Sequence, residues 1–292
     1  MRFAVAMLAG AVALAGCGDR DSAEAETPEV EEVVVERSPE QVLADAVASP
    51  RRAEDAARDA FRNPAETLAF FELAPGQRVA EVWPGYYTEI IAPYLNEVGG
   101  EYVAVLFPEA MGERAVERAE AFRAKFADSS VYGDIAYGSF GYADGERMGT
   151  IAEPGSLDAI YTFRNVHNWM GGGYAEEAFA EFYEALKPGG LLGVVEHRLP
   201  EARLQNPQGN TGYVQESYVK DLAARAGFEF VAASEVNANP LDTADHPFGV
   251  WTLPPRSRLP EEGTKQAEDF DAALYRNIGE SDRMTLKFRK PG

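Results

Sequence analysis

From residue 38 onward the apolar positions of the chain switch repeatedly between two spacings. Short apolar or β-branched runs bounded by Pro, Gly or Asn predict strands, and stretches with apolar positions three and four apart predict helices. Ser38-Pro39-Glu40-Gln41 offers a capping hydroxyl, a proline at the first helical position and a glutamine at the third. Asn63-Pro64-Ala65-Glu66 repeats that logic before Leu68, Phe71 and Leu73, which form an apolar face, and Pro75-Gly76 ends the helix. Strands are predicted over 78–82, 102–107, 134–140, 157–163, 191–196, 228–233 and 284–289, and helices over 89–95, 111–126, 175–186 and 218–226. Alternating strands and helices predict an α/β domain, a mostly parallel sheet with helices on both faces. In such sheets ligands sit beyond the carboxyl ends of the strands.

The N-terminus breaks this pattern. The chain opens MRFAVAMLAGAVALAGC, a single Arg2 before an apolar run from Phe3 to Ala13. That run is too short to cross a bilayer and suits the core of a signal peptide. It ends in Leu14-Ala15-Gly16-Cys17, which resembles the lipobox of bacterial lipoproteins. The resemblance implies cleavage before Cys17, acylation of that cysteine, and export to a membrane facing the periplasm. Gly18 at the next position points to the outer membrane. Several acyl chains, each contributing ~0.8 kcal/mol per buried CH₂, would hold the protein there. The alternative is an N-terminal helix with a chance cysteine. The expected organisation is a signal peptide (1–16), an acidic disordered tether (17–37) and one domain (38–292), with a lid insertion over about 237–281.

Charge and cysteine content narrow the partners. The formal net charge is −21, which repels phosphate backbones and anionic headgroups, so nucleic acid is not an expected partner and contact with a membrane would be through the anchor alone. Cys17 is the only cysteine, so the body has no disulfide, thiolate nucleophile or cysteine-based zinc site. The oligomeric state is left open.

Several segments in order resemble class I S-adenosylmethionine-dependent methyltransferases. LKPGGLLGVVEH (186–197) is similar to the helix-turn-strand around their fifth strand, and AGFEFV (226–231) to the start of their sixth. TFRNVHNWM, VVEHR, GVWTLPP and the ending SDRMTLKFRKP resemble a family of predicted bacterial methyltransferases, from about Asn63 to the C-terminus. The resemblance implies a Rossmann-like sheet of seven strands, the last antiparallel, with S-adenosylmethionine as cofactor and a small-molecule or envelope component as methyl acceptor. It implies cofactor contacts from Glu81, Trp83, Gly85, Tyr87 and Thr88 around the first loop. Glu109 would bind the ribose hydroxyls, and Ser139 and Phe140 would lie near the adenine, the ring stacking on it. The loop itself, Trp83-Pro84-Gly85-Tyr86-Tyr87-Thr88, is about two residues shorter than the glycine-rich WPGGGWYTE form of that family. Glycines there let backbone approach the ligand, so either the loop holds the cofactor in a modified way or the cofactor is lost.

Two of the three histidines, His167 and His197, fall just past the fourth and fifth strands, beside Arg164, Asn165, Asn168, Glu196 and Arg198. Imidazole titrates near neutrality and can take a proton from an attacking nucleophile. His167 is the expected base or substrate-positioning residue, with Glu196-His197 second and Arg164 and Asn165 in the same crevice; the alternative is a structural hydrogen-bond network. A zinc site from His167, His197, His246 and Glu196 is not expected, because no pair has the i, i+4 spacing of a helical ligand pair. Two functions stay open: methyl transfer, and a non-catalytic lipoprotein of methyltransferase fold that binds a ligand or partner in the envelope. The short loop favours the second, as does export, since S-adenosylmethionine is made in the cytoplasm.

Overall fold

The computed structural model describes residues 37–292. The signal peptide, Cys17 and nearly all of the tether lie outside them. Contacts divide the chain into Met1–Ser38 and Pro39–Gly292, and everything below concerns the second unit. Among the described residues no helix is long and apolar enough to cross a membrane.

Seven strands build the main sheet: β1 (Arg78–Val82), β2 (Glu101–Leu106), β3 (Ala136–Ser139), β4 (Leu157–Phe163), β5 (Leu186–Leu199), β6 (Glu229–Ser234) and β7 (Arg283–Arg289). Their order is β3-β2-β1-β4-β5-β7-β6. β1 to β5 pair in parallel, and β7 runs antiparallel to both β5 and β6. This is the seven-stranded arrangement the sequence predicts. A short strand, Val214–Gln215, extends the sheet beside the end of β5.

Period-two alternation sorts the strands' side chains into two cores. Ala80, Val82, Val103, Val105, Ile160, Leu192 and Val194 face one side. There they meet Phe179 and Phe182 of α6 (Ala175–Ala185) and Val219 and Leu222 of α7 (Glu216–Ala226). Val79, Tyr102, Ala104, Tyr161, Leu191 and Val195 face the other. They pack against α1 (Pro39–Val47), α2 (Pro64–Phe70), α3 (Thr88–Glu97) and α4 (Glu113–Lys125). Each fully buried Leu, Val or Phe contributes about 1.5–3 kcal/mol, so both faces are committed. Where Phe71 lies flat against the sheet, stacked on Tyr161 at 5.2 Å, β5 carries Gly193, at which a Cβ would come 2.7 Å from the Phe71 ring.

Four details differ from the sequence reading. β5 starts at Leu186, which pairs with Leu157 of β4, and takes in the KPGG turn, which bulges from that ladder before pairing resumes at Leu191. A hairpin, Gly141–Ala143 with Glu146–Met148, follows β3. The VHNWM part of the TFRNVHNWM segment forms a helix, α5 (Val166–Gly172). Asn63 does not cap α2 through its side chain; it sits in the left-handed region, φ 37°, and its amide donates to the Val236 carbonyl at 2.6 Å. The segment expected as a lid contains a strand, Pro247–Val250, and short helices Lys265–Glu268 and Ala272–Ile278.

Candidate functional site

β1 places Glu81 on the face of α3, fully buried. Its carboxylate accepts from the Thr88 hydroxyl at 2.9 Å, the Tyr102 hydroxyl at 2.7 Å and the Gly85 N–H at 3.2 Å. The three donors tie the loop after β1 to the start of α3 and to β2. Burial pushes the Glu81 carboxyl up to about 7, and the three hydrogen bonds hold it from rising further. Thr88 begins α3 and spends its hydroxyl on Glu81; Tyr87 holds the cap position with no side-chain bond. A Cβ on Gly85 would meet nothing within 4 Å, so the loop faces open space at its one remaining glycine.

Aromatic rings surround that loop. Trp83 takes a left-handed backbone, φ 51°, which directs its indole onto Phe107 at 4.2 Å, with Nε1–H donating to the Phe140 carbonyl at 3.0 Å. The Trp83–Phe107 pair is half-buried at the carboxyl ends of β1 and β2. Phe140 is fully buried beneath it, packed on Trp169 and Phe182. Phe140, expected to stack on the adenine, is turned into the core, and the half-buried rings at this point are those of Trp83 and Phe107. Glu109, expected at the ribose hydroxyls, begins a short turn beyond β2, is exposed, and pairs with Arg123 at 3.0 Å. Ser139 ends β3, packed close to Gly149. Tyr87 stacks on Phe163 at 3.8 Å and donates to the Arg62 carbonyl.

The parallel pairing of β4 with β5 brings His167, Glu196 and His197 together, all buried, with candidate ligand atoms within 4.8 Å of one another. Glu196 accepts from the His167 N–H at 3.2 Å and the His197 N–H at 2.8 Å, and its Oε1 lies 3.1 Å from His167 Nδ1. An ionised Glu196 requires a proton on Nδ1, which leaves Nε2 of a neutral His167 as the acceptor. His197 Nδ1 lies 2.5 Å from the Ser281 hydroxyl. Burial, then the neighbouring His167 and the guanidiniums of Arg164, Arg283 and Arg62, hold the His197 imidazole well below its ordinary range, so it is neutral. The same cations oppose a bound metal ion, and Glu196 already receives three donors. His246 lies elsewhere, bonded to Asp242 at 2.7 Å. Trp251, in the segment expected as a lid, packs edge-on over His167 at 6.1 Å.

Asn165 has a structural place. Its amide donates to the Val82 carbonyl at 3.0 Å and to Thr162 at 3.2 Å, stitching β1 to β4. Arg198 turns away to Asp282 and Glu235. Arg164 is different. It is half-buried, its backbone is left-handed at φ 63°, and its guanidinium makes no hydrogen bond or ion pair with any described residue. Burial and the neighbouring Arg62 and Arg283 lower it to about 9. Arg62, Arg283 and Glu280, which complete this corner, were not singled out by the sequence, since they arrive from the two ends of the domain and carry no local motif.

No protein-family model and no curated protein sequence matches the chain. Solved structures do. The [4+2]-cyclase SpnF superposes with a TM-score of 0.50 at 15% identity, over 88% of this chain and 97% of its own. An S-adenosylmethionine-dependent methyltransferase from Aquifex aeolicus gives 0.46 at 16%, over 69% and 94%. Haemonchus contortus phosphoethanolamine N-methyltransferase 2, in complex with S-adenosyl-L-methionine, gives 0.46 at 17%, over 80% and 53%. At these identities the likeness concerns the fold alone, and a cyclase among the neighbours illustrates that this fold does not dictate one reaction.

Proposed function

We propose that the chain is an S-adenosylmethionine-dependent methyltransferase acting on a small molecule or an envelope component. The observation that carries the reading is the buried Glu81, which holds the Gly85 loop against α3 and leaves that loop open to a ligand. Glu81 and Thr88 would shape the cofactor's seat from below, Gly85 would let it approach the backbone, and the Trp83–Phe107 pair would offer it a ring face. When bound, the cofactor supplies an electrophilic methyl group. His167, oriented by Glu196, supplies an acceptor for the proton of the attacking nucleophile at Nε2. Trp251 shields that imidazole from water, and the crevice contributes chiefly by holding the reactants in line.

The test is calorimetric titration of the full-length protein with S-adenosylhomocysteine and S-adenosylmethionine. Saturable binding that Gly85→Val weakens supports the reading. No heat and no thermal shift at millimolar ligand would sink it. A second reading, a ligand-binding lipoprotein without methyl transfer, is favoured by the same Trp83–Phe107 stack, whose rings occupy part of the space beyond the carboxyl ends of β1 and β2. It predicts that neither nucleoside binds unless two glycines are restored after Gly85.

The proposal includes export and lipid attachment at Cys17, which the lipobox-like N-terminus supports. Alkaline phosphatase fused after residue 40 should be active, and Cys17→Ser should release the protein from membranes. An unprocessed cytoplasmic product would refute this part.

A further inference from the structure

Between the start of β7 and the segment before α2, arginines gather that the proposed chemistry at His167 does not use. Glu280, buried, accepts from Arg62 at 2.9 Å, from Arg58 at 3.1 Å and from Arg283. Arg58 also pairs with Asp55, and Arg52 with Asp59. Arg52, Arg58 and Arg62 lie over the Tyr86 ring, 4.6 to 5.5 Å from its centroid. Arg164 lies near enough to Arg62, Arg283 and Arg58 for their charges to act on it, with Glu280 the carboxylate that opposes them.

The balance is uneven. Arg52, Arg58, Arg62, Arg164 and Arg283 meet Asp55, Asp59 and Glu280, an excess of two positive charges in a chain whose net charge is −21. Buried N–H groups there also lack acceptors: Arg62 Nη2, Arg283 Nε and Arg52 Nε. A buried cation cluster without matching anions is costly unless a ligand completes it. Arg164, half-buried and unpaired, is close enough to the His197 imidazole for its charge to act on it. Guanidinium forks match the oxygens of phosphate and carboxylate. Two uncompensated charges suit a dianion better than a monoanion.

We propose that Arg164, with Arg62 and Arg283, forms a binding site for a dianionic phosphoryl group carried by the molecule that occupies the β4–β5 side of the crevice. This names the substrate class for the site described above and rests on reading that crevice as a ligand site, though not on methyl transfer itself. The phosphoryl oxygens would take the unpaired N–H groups, leaving the remainder of the molecule beside His167 and His197.

The experiment titrates full-length protein at low ionic strength with inorganic phosphate, phenyl phosphate and benzoate, following heat and thermal shift, with S-adenosylhomocysteine titrated in parallel. Saturable phosphate and phenyl phosphate binding is expected, at least ten times tighter than benzoate. Arg164→Met should weaken it at least tenfold, while Arg164→Lys keeps part of it. Because Arg164 holds no partner, Arg164→Met should fold normally and melt no lower than the parent without ligand. Sedimentation with phosphatidate vesicles separates a lipid source of the phosphoryl group from a soluble one. Absent phosphate binding, benzoate binding as tight as phosphate, or phosphate binding indifferent to Arg164→Met would each overturn the inference. Phosphate binding without S-adenosylhomocysteine binding would uphold it and remove the methyltransferase reading; the reverse result would do the opposite.

Discussion

Glu81→Gln tests the centre of the loop through pH. Burial raises the Glu81 carboxyl from 4.5 to about 7. In the folded protein the group therefore prefers its protonated form more strongly than in the unfolded chain. Its favourable contribution is fully present below pH 4.5 and is lost as pH rises through 7. A shift of that size corresponds to about 3 kcal/mol in total, of which about 2 kcal/mol is lost between pH 5.5 and 8.5, a range clear of the isoelectric point near 4.6. Glutamine cannot ionise, so Glu81→Gln removes this loss. It also sacrifices one of the three accepted hydrogen bonds, Gly85 N–H being the one left over when the amide oxygen turns to Thr88 and Tyr102, a cost of about 1 kcal/mol. The variant should be near parity with the parent at pH 5.5 and more stable by about 2 kcal/mol at pH 8.5. Urea unfolding followed by tryptophan fluorescence measures the difference at each pH, and subtracting one protein from the other cancels every other titrating group. A stability difference that stays constant with pH, or that moves against the variant as pH rises, would refute the account of Glu81 as a buried carboxyl of raised affinity for protons.

Three further outcomes are expected. Gly193→Ala should cost about 2 kcal/mol by forcing a methyl into the Phe71 ring, and Phe71→Leu in the same chain should recover part of it, as a double-mutant cycle in thermal melts would measure. Glu280→Gln leaves Arg58, Arg62 and Arg283 facing one another, so stability should fall by about 3 kcal/mol at low salt, with phosphate restoring more of it than chloride at equal ionic strength; equal recovery by both salts would count against a specific anion site. The His197 imidazole, buried among cations, should show no protonation by NMR between pH 8 and 5.5, and a midpoint near 6.5 would contradict the burial and charge arrangement.

The backbone was readable because each strand and helix declares itself within its own window. The run from 157 to 163 is mostly apolar, broken only by Asp158 and Thr162, and β4 spans Leu157–Phe163; the 175–186 periodicity and the helix Ala175–Ala185 differ by one residue. The misreadings arose where pairing overrode local chemistry. Pro188-Gly189-Gly190 has the composition of a helix stop, yet the Lys290 carbonyl accepts from Gly189 N–H and the Lys290 N–H donates to Gly190, so the last strand carries the turn into the sheet. Asn63 has the side chain of a cap, but Val236, far away in sequence, claims its amide.

The site divides along the same line. His167, Glu196 and His197 could be placed together in advance because adjacent parallel strands end side by side, and position along a strand predicts neighbours at its carboxyl end. Phe140 could not be judged that way, since whether a ring faces ligand or core depends on a one-residue difference in where the strand ends. Arg164 needed still more. Its position after a strand puts it in the crevice by sequence; what the sequence does not show is that Arg62 and Arg283 come from opposite ends of the domain to act on it while Glu280 is already shared among three other guanidiniums. An imbalance of charge is a property of the assembled corner and of no segment within it. The chain's overall negative charge points the opposite way from the local field at Arg164. The sequence-level argument against anionic partners therefore holds for extended surfaces such as nucleic acid and does not extend to a small anion inside this crevice.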